Sequence, residues 1–249
     1  MRLYYLEYKE QQAEAIVSPI GGQVISYVKD GKEIIYLQRI VGTKRRGGIP
    51  VCFPFFGPPK TKFAREIAQH GWLRNEELST KFEGNKDLCF QGDNRLRKRA
   101  SYPWSLEYSV DTHLRDLGSL ALLLRVTRAK DGIEEDAPIN PAFHPYFSNL
   151  GRRAVKIGED EREISVGQDE TIPLKGKKEL LLDLGQKKVR MVLEGDFGKE
   201  SCITLWTDNE QYFCVEPSLT HPDDFDTPKG NYLKQGKFIT LICYLFVLP

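Results

Sequence analysis

Val24-Ile-Ser-Tyr-Val-Lys-Asp-Gly-Lys-Glu-Ile-Ile-Tyr36 places two short alternating segments on either side of Asp30-Gly31. An Asp-Gly pair supplies the positive-φ corner that a two-residue hairpin needs, and the flanking alternation buries one face of each segment. The same unit recurs along the chain. Residues 106–112 alternate, 116–118 carry turn residues and 120–127 run apolar. Residues 154–157, 163–166, 180–184, 189–193, 203–207, 212–215 and 238–247 are further short strand candidates separated by turn residues. No segment longer than about three turns keeps a helical period. The pattern predicts an all-β, antiparallel fold of two packed sheets. No linker, low-complexity tract or internal repeat divides residues 1–249, so a single domain is expected.

Composition narrows the function classes. Thirty-six Lys and Arg against 35 Asp and Glu leave a net charge of +1, which gives no general attraction to nucleic acid or to a membrane surface. The longest apolar run, near 245–248, is far too short to span a bilayer. The first residues, Met-Arg-Leu-Tyr-Tyr-Leu-Glu, lack the apolar core of a signal peptide, so a cytoplasmic protein is expected, as a monomer or weak dimer. Five widely spaced cysteines (Cys52, Cys89, Cys202, Cys214 and Cys243) form no CxxC pair. They read as buried reduced thiols, with neither a disulfide framework nor a metal site expected.

Two stretches do not read as plain strands. Arg45-Arg-Gly-Gly-Ile-Pro-Val-Cys-Phe-Pro-Phe-Phe-Gly-Pro-Pro59, continuing to Gln69-His-Gly-Trp-Leu-Arg-Asn75, is dense in glycine and proline. It predicts a long ordered loop over 45–75, and long ordered loops usually carry function. It supplies Arg45, Arg46, Gln69, His70 and Arg74; arginine suits a phosphate or carboxylate, although pairing with surface acids is the plainer alternative. The basic run Asn94-Arg-Leu-Arg-Lys-Arg99 reads as the solvated tip of a hairpin.

Chemistry concentrates in Asn140-Pro-Ala-Phe-His-Pro-Tyr-Phe-Ser-Asn149, where Pro141 and Pro145 hold His144 on a stiff extended backbone among aromatic rings. A histidine tied to a backbone carbonyl is the plainer reading. A second polar segment, Cys214-Val-Glu-Pro-Ser-Leu-Thr-His-Pro-Asp-Asp224, offers Glu216 at a predicted strand end beside Pro217. Partial desolvation there would raise its pKa toward the range of a general base. His221, Asp223 and Asp224 read as surface groups. Composition and spacing alone thus give a β domain with a candidate His/Glu pair and an arginine-bearing loop.

Four segments carry a family resemblance. Arg46-Gly-Gly-Ile-Pro-Val-Cys-Phe-Pro-Phe-Phe-Gly57, Gln69-His-Gly-Trp-Leu-Arg-Asn75, Ala142-Phe-His-Pro-Tyr-Phe147 and Cys214-Val-Glu-Pro217 resemble the galactose mutarotase-like superfamily, specifically its hexose-6-phosphate 1-epimerase branch. The resemblance implies an antiparallel β-supersandwich, no cofactor and a small sugar or sugar phosphate as partner, glucose 6-phosphate foremost. It also implies roles. Glu216 takes the proton of the anomeric hydroxyl and His144 protonates the ring oxygen, each poised near neutral pH. Arg46, Gln69 and Arg74 contact substrate, with the two arginines on the phosphate, and His70 orients a sugar hydroxyl. Where the branch has a substrate-binding Asp in a TDR-like motif, this chain has Gln168-Asp-Glu-Thr-Ile172, so Asp169 takes that place and Glu170 is its alternative. A mutarotase of unphosphorylated aldoses and a non-catalytic sugar-binding β-sandwich are the competing readings.

Overall fold

Strand Leu106–Leu114 shows how the alternation becomes structure: Leu106, Tyr108, Val110, Thr112 and Leu114 are buried, and the residues between them face outward. The computed structural model describes residues 2–41, 44–95 and 102–249; the side chains at 41, 44 and 45 also lie outside the description. The Asp30-Gly31 corner has φ of 50° and 69° and joins Val24–Lys29 to Lys32–Ile35 as an antiparallel pair.

Two antiparallel sheets account for nearly all the strands. The first has ten, running in order Tyr4–Tyr8, Ala13–Val17, Val24–Lys29, Lys32–Ile35, Tyr146–Ser148, Tyr212–Ser218, Ala142–Phe143 and Val51–Cys52. Cys202–Trp206 pairs with the other side of Tyr212–Ser218, and Asp169–Pro173 lies beyond it. The second has nine, in order Asp160–Glu163, Gly151–Ile157, Glu179–Gly185, Lys188–Gly195, Phe238–Leu248, Leu120–Arg128, Leu106–Leu114, Asp87–Asp93 and Ser79–Glu83. One continuous apolar core includes residues of both sheets, such as Leu6, Val17, Tyr27, Phe147, Phe213 and Val215 from the first and Leu122, Leu182, Met191, Leu241 and Leu245 from the second.

Several sequence expectations need correction. Residues 45–75 are not one loop. Lys44–Arg46 pairs with Arg39–Val41, and Val51–Cys52 pairs with Ala142–Phe143. Glycine and proline limit these pairings to two or three residues without abolishing them. The strand near 163–166 ends at Glu163, having begun at Asp160. The basic run falls mostly outside the described residues, but its first residue is no solvated tip. Asn94 is buried, its side chain bonding the Trp104 carbonyl at 2.9 Å and the Leu106 N–H at 2.7 Å. Strands Tyr4–Tyr8, Ala13–Val17, Ser79–Glu83, Asp87–Asp93 and Asp169–Pro173 were not read from the sequence.

Candidate active site

Every residue of Tyr212–Ser218 is buried, because the strand has a roof on both faces. Phe213 and Val215 point into the core between the sheets. Tyr212, Cys214, Glu216 and Ser218 therefore point the other way. Register then fixes their neighbours. Cys214 lies opposite Tyr146 and Ser218 opposite Ala142. Following either pair inward puts His144 across from Glu216. Pro145 interrupts the ladder at this point, leaving Ala142–Phe143 and Tyr146–Ser148 as separate strands. With no continuous ladder on that side, Tyr212–Ser218 runs on through Pro217. Glu216 is thus inside a strand, not at its end.

On the other side, Thr204 lies opposite Glu216 and Thr171 opposite Thr204, while Trp206 and Asp169 occupy the next rung on the same face. The two threonine hydroxyls bond at 2.8 Å. These side chains line a cleft of about 750 Å³, together with Arg46, Phe56, Gln69, His70, Arg74 and Asn75. That size suits a small ligand. All seven residues expected at the site, His144, Glu216, Arg46, Gln69, His70, Arg74 and Asp169, line it. Glu170 does not line the cleft; it pairs with Arg162 at 2.7 Å. The side chain of Arg45 lies outside the described residues. Tyr146, Thr171, Thr204 and Trp206 were missed. Only Tyr146 had a local signal, two residues beyond His144 on the same face.

The His144 ring is not held as an ordinary structural histidine is. Its backbone N–H donates to the Pro50 carbonyl at 3.0 Å, but its Nδ1 is buried without a hydrogen-bond partner. Nε2 stands 3.5 Å from Glu216 Oε1, too far for a strong bond. Tyr146 stacks on the ring, at 4.8 Å and 5° between planes, and His70 meets it edge-on at 5.4 Å. Burial lowers the His144 pKa well below the usual imidazole value, and nearby His70 and Arg74 reinforce the shift. Burial raises the Glu216 pKa well above the usual carboxylate value, with Asp169 adding to it and Arg74 opposing. The shift of Glu216 follows the expected direction and that of His144 goes the other way, because desolvation always disfavours the charged form.

His70 adopts φ +65°, a conformation rare for a side-chain-bearing residue. Three contacts hold it: its N–H donates to the Gly57 carbonyl at 3.0 Å, its carbonyl accepts from Phe53 N–H at 3.2 Å, and its Nδ1 accepts from Gly57 N–H at 3.2 Å. Burial, with Arg74 and Arg46 adding to it, pushes its pKa down to about 3. A neutral ring with Nδ1 accepting carries its proton on Nε2, as a fixed donor. Arg74 makes no hydrogen bond or ion pair among the described residues. Arg46 bonds Asp208 Oδ2 at 2.7 Å and lies 5.0 Å above the Trp206 ring.

His144, Cys214 and Glu216 bring three donor atoms within 4.8 Å of one another. Burial holds the Cys214 thiol and the Glu216 carboxyl well above their ordinary pKa values, so both favour protonated forms that do not ligate a metal.

The family model described as aldose 1-epimerase matches residues 4–219. The chain belongs to the aldose 1-epimerase family. Among solved structures, this family member is similar to the Slr1438 protein from Synechocystis sp. PCC 6803, with TM-score 0.78 and 19% identity over 99% of this chain and 95% of that one. A galactose mutarotase related enzyme from Lactobacillus acidophilus gives TM-score 0.79 and 16% identity over 100% and 98%. A galactose 1-epimerase from Lactobacillus acidophilus NCFM gives 0.71 and 14% over 98% and 93%. At these identities the likeness establishes the galactose mutarotase-like fold. Comparison with curated proteins finds no significant match.

Proposed function

We propose that this aldose 1-epimerase family member interconverts the α and β anomers of an aldohexose 6-phosphate, with glucose 6-phosphate the first substrate to test. The observation that carries the reading is the pairing of His144 and Glu216 across one break in a strand ladder, on the floor of a sugar-sized cleft that also holds Arg74, which makes no ion pair among the described residues. Glu216 removes the proton from the anomeric hydroxyl, the C1–O5 bond breaks and His144 protonates O5. Rotation about C1–C2 presents the other face of the carbonyl. Reversed transfers then close the ring, so no proton is gained or lost overall. Holding both groups beside one bond contributes at least as much as either pKa. His70 donates from Nε2 to a sugar hydroxyl, Gln69 and Asp169 bind others, and Arg74 and Arg46 meet the phosphate.

The two pKa directions favour Glu216 over His144 as the holder of a proton that the pair carries. Transfer of that proton to His144 makes the carboxylate base and imidazolium acid without exchange with solvent. The pair titrates as a unit. Adding a second proton requires charging His144, whose pKa lies well below 6.5. Removing the last requires ionising Glu216, whose pKa lies well above 4.5. The acid limb of the kcat profile is therefore expected to fall only below pH 6.5. An acid midpoint at or above that value would contradict the shared-proton reading.

Anomer exchange followed by NMR, with glucose 6-phosphate, glucose and galactose at equal concentration, tests the substrate class. Catalysed exchange of the phosphate alone is the expected result; exchange of the free sugars alone would overturn it. Arg74→Ala is expected to raise KM for the phosphorylated sugar about 10- to 150-fold, the equivalent of roughly 1.5–3 kcal/mol for one charged hydrogen bond. The inhibition constant of free glucose, measured as a competitor, should hardly move. Equal effects on both would remove Arg74 from the phosphate.

A further inference from the structure

Arg46 stands apart from the two large sheets. It ends the two-stranded ribbon formed by Arg39–Val41 and Lys44–Arg46, which belongs to neither large sheet. Gly47 and Gly48 follow it, with φ of 98° and 75°. The backbone fixes where the side chain starts, and a side chain as long as arginine needs contacts of its own to be aimed. The Arg46 side chain is only 16% exposed, and two side chains hold it directly. The Trp206 ring lies beneath it at 5.0 Å, and Asp208 Oδ2 accepts its one hydrogen bond among the described residues. The other Asp208 oxygen, Oδ1, accepts from the Tyr212 hydroxyl. Tyr212 is itself fixed. It is buried in strand Tyr212–Ser218, 5.1 Å from the rings of both Tyr36 and Tyr146.

We infer that Asp208 is the positioning residue for Arg46. It links the guanidinium through Tyr212 to the strand that carries Glu216, and so fixes the arginine fork relative to the reacting end of the cleft. Asp208 does not line the cleft. It engages one terminal nitrogen of Arg46 and leaves other N–H donors for an anionic group on the ligand. Preorganisation of this kind acts on ligand binding, because the cost of ordering the arginine is met before the ligand arrives. The inference rests on the reading that Arg46 meets the phosphate.

The test is a cycle of Arg46→Gln, Asp208→Asn and the double variant, with Asp208→Glu as the conservative replacement. Calorimetric titration with glucose 6-phosphate gives Kd without requiring turnover, and anomer exchange gives KM and kcat. Asp208→Asn is expected to raise Kd and KM on the order of 10-fold, as for loss of one charge-assisted contact, with kcat unchanged. The double variant should bind no worse than Arg46→Gln alone, and Asp208→Glu should recover part of the loss. The melting temperature should stay near wild type, since an ion pair with one partner 44% exposed contributes little stability. Tighter binding by Asp208→Asn would overturn the inference, because it would make Asp208 a carboxylate that repels the phosphate. Additive losses would also overturn it, as would an Arg46→Gln variant that binds normally. A wild type that catalyses no exchange while the binding cycle holds would instead count against the epimerase reading.

Discussion

His144→Asn is expected to lower kcat/KM for anomer exchange by about 10²- to 10⁴-fold, the usual range for a general acid or base, with little change in melting temperature. The two halves of this expectation come from different bonds. The main-chain N–H of His144 holds the segment in place through the Pro50 carbonyl, and any residue keeps that bond. The ring contributes no hydrogen bond of good geometry to the fold: Nδ1 is buried without a partner and Nε2 stands 3.5 Å from Glu216. A buried imidazole with both nitrogens uncommitted is costly to stability and useful only to a ligand. Glu216→Gln should cause a loss of similar size, and the double variant should be scarcely worse than either, because each group is idle without the other. The measurements are exchange rates by NMR and thermal unfolding of all three variants. Gross unfolding of His144→Asn would return the histidine to a structural role, and multiplicative losses in the double variant would separate the two residues.

That pairing was only half legible in the sequence. His144 and Glu216 stood out singly, one for its proline-flanked aromatic setting and the other for its place in an apolar run. Their opposition is a property of register, which fixes which residue of one strand faces which residue of another. The alternation at 106–112 says which face is buried but not what faces it. Thr171, Thr204 and Trp206 stayed invisible for the same reason: nothing near them in sequence marks a site until Asp169–Pro173 and Cys202–Trp206 are laid beside Glu216. The loop reading put forward Arg46, Gln69, His70 and Arg74, the resemblance gave them roles through local motifs, and all four line the cleft. Neither pointed to Asp208, which does not line the cleft and is tied to it through Arg46. The hairpin at Asp30-Gly31 was legible because two adjacent residues dictate it. The strand at Asp87–Asp93 was not, since Asp87-Leu-Cys-Phe-Gln-Gly-Asp93 mixes turn residues into its alternation and is held by partners on both sides.

The largest expected effect on folding comes from Gly71→Ala, at a residue without chemistry of its own. Gly71 has φ +78°, and a Cβ there would lie 1.9 Å from the Phe53 carbonyl oxygen and 2.3 Å from its carbon. Backbone, not a pliable side chain, occupies the space. Either residue 71 or the 53–54 segment has to move. The left-handed conformation alone costs a residue with a side chain roughly 1–3 kcal/mol, and displacing packed backbone adds to that. A total loss of about 3 kcal/mol or more is expected, lowering the melting temperature by roughly 6–12 °C in a chain of this size. The site would be affected with the fold, because the same carbonyl of Phe53 accepts from Trp72 and Leu73, while Phe53 N–H donates to His70. These bonds hold the turn that presents His70 and Arg74 to the cleft. A partly folded Gly71→Ala protein should therefore show a raised KM with kcat less affected, since Glu216 stands on another strand and His144 at the break between two others. Unfolding by heat and denaturant, with kinetics on the surviving protein, checks both parts. A variant of wild-type stability and unchanged KM would mean that the close approach of Phe53 and Gly71 is not what fixes this side of the cleft.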